Sequence, residues 1–235
     1  MGNSSHRQKP VTTIVTCQIP HKPKIMFYGD SLTEGYHLDP KYRYTTLFQK
    51  YIDEYKLNWE VINAGKSGDT VLGTMPRFQF EIITHNPRIV CICLGGNDLF
   101  QGGWDKMDII KSELVNMINY VKQNGMTPIL ICMAPPFSSA ILNAIKLIPE
   151  AEKRISFFSM YEEIANENKL LYIDSIFQDF PFKSDMVILT NMSKSNFFVK
   201  DMVEGDYFVD VVHPNDKGHA IIARYFFACI KSCLN

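Results

Sequence analysis

The chain has 235 residues, 46% hydrophobic and 21% charged, with a formal net charge of −1. That length suits one α/β domain able to bury a full core, and the near-neutral balance excludes the electrostatic footprint of a nucleic-acid or anionic-membrane binder. No run approaches the ~20 apolar residues that a membrane span requires.

Met1–Pro23 is expected to be a flexible leader. Val11–Ile19 is too short and too threonine-rich for a secretory core, and Met1-Gly2-Asn3-Ser4-Ser5-His6 half-matches a myristoylation start, with His6 where Ser or Thr is needed. Residues 24–235 are expected to form a single domain. Ile25–Tyr28 is a short apolar run of the kind that makes a buried strand, broken by Gly29 before Asp30-Ser31. Tyr44, Leu47, Phe48, Tyr51, Ile52 and Tyr55 then recur at helical spacing. Trp59–Asn63 is predicted as the second strand and runs into the glycine-rich turn Ala64–Thr70. A helical stretch ending near Asn86-Pro87 leads to the third strand, Arg88–Leu94, apolar throughout as in a sheet covered on both faces. Ile110, Leu114, Met117, Ile118 and Val121 mark a helix stopped by Gly125. Pro128–Met133 and Leu170–Ile173 are the fourth and fifth strands, with a helical stretch broken near Pro149 between them. Ile222, Phe226, Cys229, Ile230 and Cys233 give the closing helix its buried stripe. Strand and helix alternate, so a parallel sheet with helices on both faces follows.

The six cysteines are Cys17, Cys91, Cys93, Cys132, Cys229 and Cys233. Cys91 and Cys93 fall on one face of a predicted strand, Cys229 and Cys233 one helical turn apart, and no second Cys or His pair completes a zinc site. They read as core packing in a reduced, cytoplasmic protein. No metal or organic cofactor is indicated.

A serine just past the carboxyl end of a buried strand, as Ser31 is, sits where open α/β sheets bind ligands. Asp-Ser after Gly is equally an ordinary turn and helix cap. An alcohol attacks only when a base takes its proton, and among the six histidines His213 has an aspartate three residues before it, Asp210. That spacing lets one local turn aim the carboxylate at the imidazole, although the pair could be turn and cap residues alone. His219 falls inside the closing helix and reads as structural, and no aspartate lies three residues before His37. Two rival motifs fail. Gly65-Lys66-Ser67 would end a phosphate-binding loop, but position 60 is Glu60 where its first glycine belongs. Thr33 breaks the Gly-x-Ser-x-Gly elbow.

Gly29-Asp30-Ser31-Leu32, Gly68, Gly95-Gly96-Asn97-Asp98 and Asp210-Val211-Val212-His213-Pro214 come in an order that resembles the GDSL, or SGNH, hydrolases, over nearly the whole chain. The resemblance implies a three-layer α/β/α sandwich with strand order 2-1-3-4-5, which sets the ends of strands one and three beside the switch point. It implies a serine esterase in which Ser31 attacks, His213 is base then acid, and Asp210 orients His213. It further implies an oxyanion hole made by the Ser31 amide, the Gly68 amide and the Asn97 side chain. Glycine at 68 would let backbone approach the substrate without a Cβ in the way. Asp98 is expected to brace its loop and Asp30 to be structural. The partner is a small-molecule ester: an acyl ester, thioester or lysophospholipid. An acetylated sugar is the rival substrate, and a noncatalytic pocket the rival function.

The excursion Ser175–Phe208 is far longer than such a connection needs and carries Phe177, Phe180, Phe182, Phe197, Phe198, Tyr207 and Phe208. It is expected either to pack on the sheet edge or to wall an acyl pocket over Ser31. If it only packs on the edge, the pocket falls to Leu99–Trp104 or Pro135–Ile148.

Overall fold

All five strands run parallel and end along one edge, in the order β2-β1-β3-β4-β5. The computed structural model describes residues 21–101, 103–136, 149–192, 194 and 198–235. The strands are β1 (Lys24–Gly29), β2 (Glu60–Gly65), β3 (Ile89–Cys93), β4 (Thr127–Ile131) and β5 (Leu171–Ile173). The sequence places each of them to within two residues. Gly29 pairs with Gly65 on one side and with Cys93 on the other, so three strands finish level and release three loops at the same point: the one carrying Ser31, the one carrying Gly68 and the one carrying Asn97.

Alternation along β1 decides what covers each face. Phe27 packs edge-on against Tyr44 and Phe48 and stacks on Phe226, which brings α2 (Tyr44–Glu54) and α9 (Asp216–Ile230) onto one face. Tyr28 points the other way, with its ring 4.8 Å from Phe78, and gathers α3 (Met75–His85) and α5 (Met107–Gln123). The helix α6 (Pro149–Asn168) lies beside α5 and over β4 and β5. The break expected near Pro149 is the start of this helix, and residues 137–148 lie outside the described residues. So do residues 1–20, which hold most of the expected leader and Cys17.

The closing stripe is corrected at its end. Helix α9 stops at Ile230, and Cys233 falls in the 3-10 turn Lys231–Leu234, where it is exposed while Leu234 takes the buried place. Cys91, Cys93 and Cys132 are buried as expected. Most aromatics of the long excursion form a small core of their own: Phe180 lies 5.4 Å from Phe177, 5.5 Å from Phe208 and 5.9 Å from Tyr207. Two short helices, α7 (Asp185–Met192) and α8 (Val199–Met202), follow within it. Phe197 lies outside the described residues. Among the described residues no helix is long and apolar enough to cross a membrane.

Candidate active site

The strand β1 delivers Ser31 into the first turn of a single-turn helix, α1 (Ser31–Glu34). Asp30 caps that helix, its carboxylate accepting from the Leu32 amide at 3.0 Å. The Ser31 amide, in the first turn of α1, has no acceptor within its own helix. Glu34 closes the turn onto the next loop by accepting from the Ser67 amide at 2.6 Å and from the Ser67 hydroxyl.

Ser31 Oγ lies 2.8 Å from Nε2 of His213, and Nδ1 of His213 lies 2.7 Å from Oδ2 of Asp210. The two histidine contacts assign the tautomer. A carboxylate only accepts, so Nδ1 carries the proton and the Nε2 lone pair faces the serine hydroxyl. The other Asp210 oxygen, Oδ1, accepts from the Val212 and His213 amides at 2.9 and 2.8 Å. Partial burial works to raise the Asp210 carboxyl, but these amides and the facing imidazole outweigh it and hold the group below the usual carboxylate value. The turn is anchored behind by Asn215, whose side chain accepts from the Lys217 and Gly218 amides and caps α9.

On the other side of Ser31, Gly68 has φ +82. A Cβ placed there meets nothing within 4 Å, so the fold asks for glycine because of the left-handed backbone; protein crowding does not require it. The loop is fixed on both flanks, by Glu34 at Ser67 and by Asn97 at Asp69, whose carbonyl accepts from Nδ2 of Asn97 at 2.8 Å. Asn97 sits in α4 (Gly96–Phe100), which begins at Gly95 with φ +115. The adjoining Asp98 is buried and takes the Val71 amide at 2.8 Å and the Leu72 amide at 3.4 Å, bracing that loop as expected. Burial raises its carboxyl against the pull of those two amides.

Spacing gave no sign of three further residues. Arg77 donates from Nε to Asp69 at 2.7 Å and from its other nitrogens to the Ala64 and Gly29 carbonyls, so one guanidinium ties β1, β2 and the Gly68 loop together. It also lies over the Tyr28 ring, 4.0 Å from its centroid. Thr74 completes the group, with its hydroxyl 2.6 Å from that of Tyr28. Nothing in the sequence pointed to this network. Of the other histidines, His219 is buried and accepts from the Tyr44 amide at 3.0 Å, and the His37 ring meets that of Tyr36 at a tilt of 51°.

Beside the Ser31–His213 contact opens an apolar cleft lined by Leu32, Gly96, Leu99, Phe100, Met133 and Val212, with Phe177 and Val199 supplied by the long excursion. Three of these residues adjoin Ser31, Asn97 and His213 in sequence. Among the described residues no group of three His, Cys, Asp or Glu side chains could hold a metal ion.

Residues 27–221 match the GDSL-like lipase/acylhydrolase family. The chain is 28% identical to an arylesterase of Vibrio mimicus over 149 residues, 63% of this chain and 68% of that one. It is 29% identical to the thioesterase 1/protease 1/lysophospholipase L1 of Escherichia coli K12 over 112 residues, which is 48% of this chain and spans about half (51%) of that protein's length. A crystal structure of TesA superposes with a TM-score of 0.68 at 21% identity, covering 90% of this chain and 99% of the other, which shows a shared fold. With a family match running from the first strand into the last helix, the chain belongs to the GDSL-like lipase/acylhydrolase family and is an esterase/lipase of that type.

Proposed function

We propose that the protein hydrolyses carboxylic esters of small molecules through an acyl-enzyme on Ser31. The observation that carries this reading is the continuous chain Ser31 Oγ, His213, Asp210 at 2.8 and 2.7 Å. Nε2 of His213 takes the hydroxyl proton as Ser31 Oγ bonds to the ester carbonyl carbon, and ionised Asp210 stabilises the imidazolium that results. The carbonyl oxygen becomes an oxyanion. The Ser31 amide, the Gly68 amide and the second N–H of Asn97 Nδ2 serve as its donors. Collapse of the tetrahedral adduct breaks the bond to the alcohol oxygen, which leaves with the proton from His213. A water then gives its proton to His213 and attacks the acyl-enzyme, and a second collapse releases the acid and restores the serine hydroxyl.

An acyl ester fits the site better than an acetylated sugar because the cleft beside Ser31 is lined by aliphatic and aromatic side chains, which suit a hydrocarbon chain and leave sugar hydroxyls unpaired. Relatives named for arylester, thioester and lysophospholipid hydrolysis support the same class. A reduced, cytoplasmic setting belongs to this reading, supported by the unpaired cysteines Cys91, Cys93 and Cys132, and cell fractionation tests it.

Labelling by a fluorophosphonate probe tests the nucleophile. The wild-type chain should label and Ser31→Ala should neither label nor hydrolyse p-nitrophenyl acetate while keeping its Tm. A Ser31→Ala preparation that retains activity removes Ser31 from the role. A panel of acyl esters beside acetylated sugars then separates the two substrate classes.

A further inference from the structure

The turn after α1 closes back on its own start. The Ser31 carbonyl accepts from both the Gly35 and the Tyr36 amides, each at 3.0 Å, so the Tyr36 backbone is fixed to the residue that carries the hydroxyl. The Tyr36 side chain reaches the other partner, its ring centroid 4.7 Å from that of His213 with the planes at 44°. The His37 ring centroid lies 3.8 Å from that of Tyr36, with the planes at 51°. His37 holds φ +63, a left-handed conformation that strains a residue with a side chain. Tyr36 is thus in ring contact with both a strained histidine and His213.

The two hydrogen bonds of His213 lie at opposite ring nitrogens. They fix the line joining Nδ1 to Nε2 but leave the imidazole able to rock about that line. A group bearing on the ring from the side stops this rotation, and Tyr36 is so placed. Its centroid also lies within the ~6 Å at which an aromatic ring attracts a cation, so the contact strengthens as His213 takes up the serine proton. We propose that Tyr36 is a positioning residue for His213, holding the imidazole in line between Asp210 and Ser31. The inference rests on the acyl-enzyme reading given above. The contact is made by the ring, so phenylalanine should replace tyrosine and an aliphatic side chain should not.

The experiment uses the full chain with Tyr36→Phe, Tyr36→Leu and Tyr36→Ala, assayed on acetate esters that differ only in their leaving group. Tyr36 is 38% exposed, so these changes spare the core. Tyr36→Phe should stay near wild type. The Leu and Ala variants should lose about 10-fold or more in kcat, as small displacements of a catalytic group do. KM should be nearly unchanged, the loss should be no smaller for poor leaving groups, whose departure needs the proton from His213, than for p-nitrophenol, and fluorophosphonate labelling should slow in parallel. His37→Gly relieves the positive φ and withdraws the ring that meets Tyr36, so it should raise Tm while lowering kcat. Wild-type kcat in Tyr36→Leu overturns the proposal, and so does a loss confined to KM, which would make Tyr36 a leaving-group platform. A Tyr36→Phe variant as poor as Tyr36→Ala also overturns it. Absence of labelling in the wild-type chain would instead strike the acyl-enzyme reading itself.

Discussion

Asn97 has two N–H bonds on Nδ2, and the Asp69 carbonyl accepts one of them at 2.8 Å. That single bond settles the orientation of the amide, because turning it over would set its own oxygen against a carbonyl. On the proposed reading the second N–H is the one that serves the oxyanion. Asn97→Ala should therefore lower kcat by roughly 10²–10³, the usual effect of losing one donor to a developing oxyanion, with KM little changed. Steady-state kinetics on a p-nitrophenyl ester checks it, and an unchanged kcat would assign Asn97 to holding the loop alone. Asp98, its neighbour, has the opposite character: both of its oxygens face main-chain amides of the 71–72 segment, so it shapes the site without facing the reaction.

At the scale of elements, the cleft is built from α1, α4, the segment after β4, the loop before α9 and the long excursion. Phe100 lines it from the exposed end of α4, with 51% of its surface accessible. Phe100→Ser should spare folding and lower kcat/KM more for long acyl esters than for acetates, since each buried methylene is worth about 0.8 kcal/mol. Equal losses along a p-nitrophenyl ester series would place the acyl chain elsewhere. The sheet was legible because each strand is a short apolar run closed by glycine, proline or a turn, and the Asp210-x-x-His213 turn was legible because its contacts are local. The Arg77 network was not, because its partners come together only after β1 and β2 pair. The excursion proved divided. Phe177 and Val199 reach the cleft, but Phe180, Tyr207 and Phe208 pack mainly on one another. A run of aromatics without a period shows that something must be buried and leaves open against what.

Taken whole, the molecule buries titrating groups that pull in opposite directions, among them Asp30 and His219. Burial raises Asp30 to about 7, reinforced by the nearby Asp69 and Asp98 charges and opposed by the Leu32 amide. Burial, with the Arg43 and His213 charges, lowers His219 to about 4. Below pH 7 folded Asp30 holds a proton that the unfolded chain has shed, so its contribution to stability grows on acidification and is lost as the pH rises through 7. Folded His219 refuses a proton that the unfolded chain accepts below about 6.5, so its contribution falls over the same interval. At 1.36 kcal/mol per unit each amounts to about 2 kcal/mol between pH 7 and 5, with opposite signs. Urea unfolding of the wild type should therefore change little between these pH values, whereas Asp30→Asn should lose about 2 kcal/mol on going from pH 7 to 5. A variant that tracks the wild type would return Asp30 to ordinary carboxylate behaviour. The distance along the chain between the reacting groups has a different consequence. His213 stands 182 residues after Ser31 and is held in place by α9, which docks on α2 through Phe227 against Phe48 and through His219 on the Tyr44 amide. On the ribosome, where chains fold from the amino end as they emerge, β1 to β5 can assemble around a serine that is still an ordinary alcohol. The hydroxyl gains its base only when that last helix seats, so a nascent or prematurely ended chain should carry an inert serine, and the onset of probe labelling should time the completion of the fold.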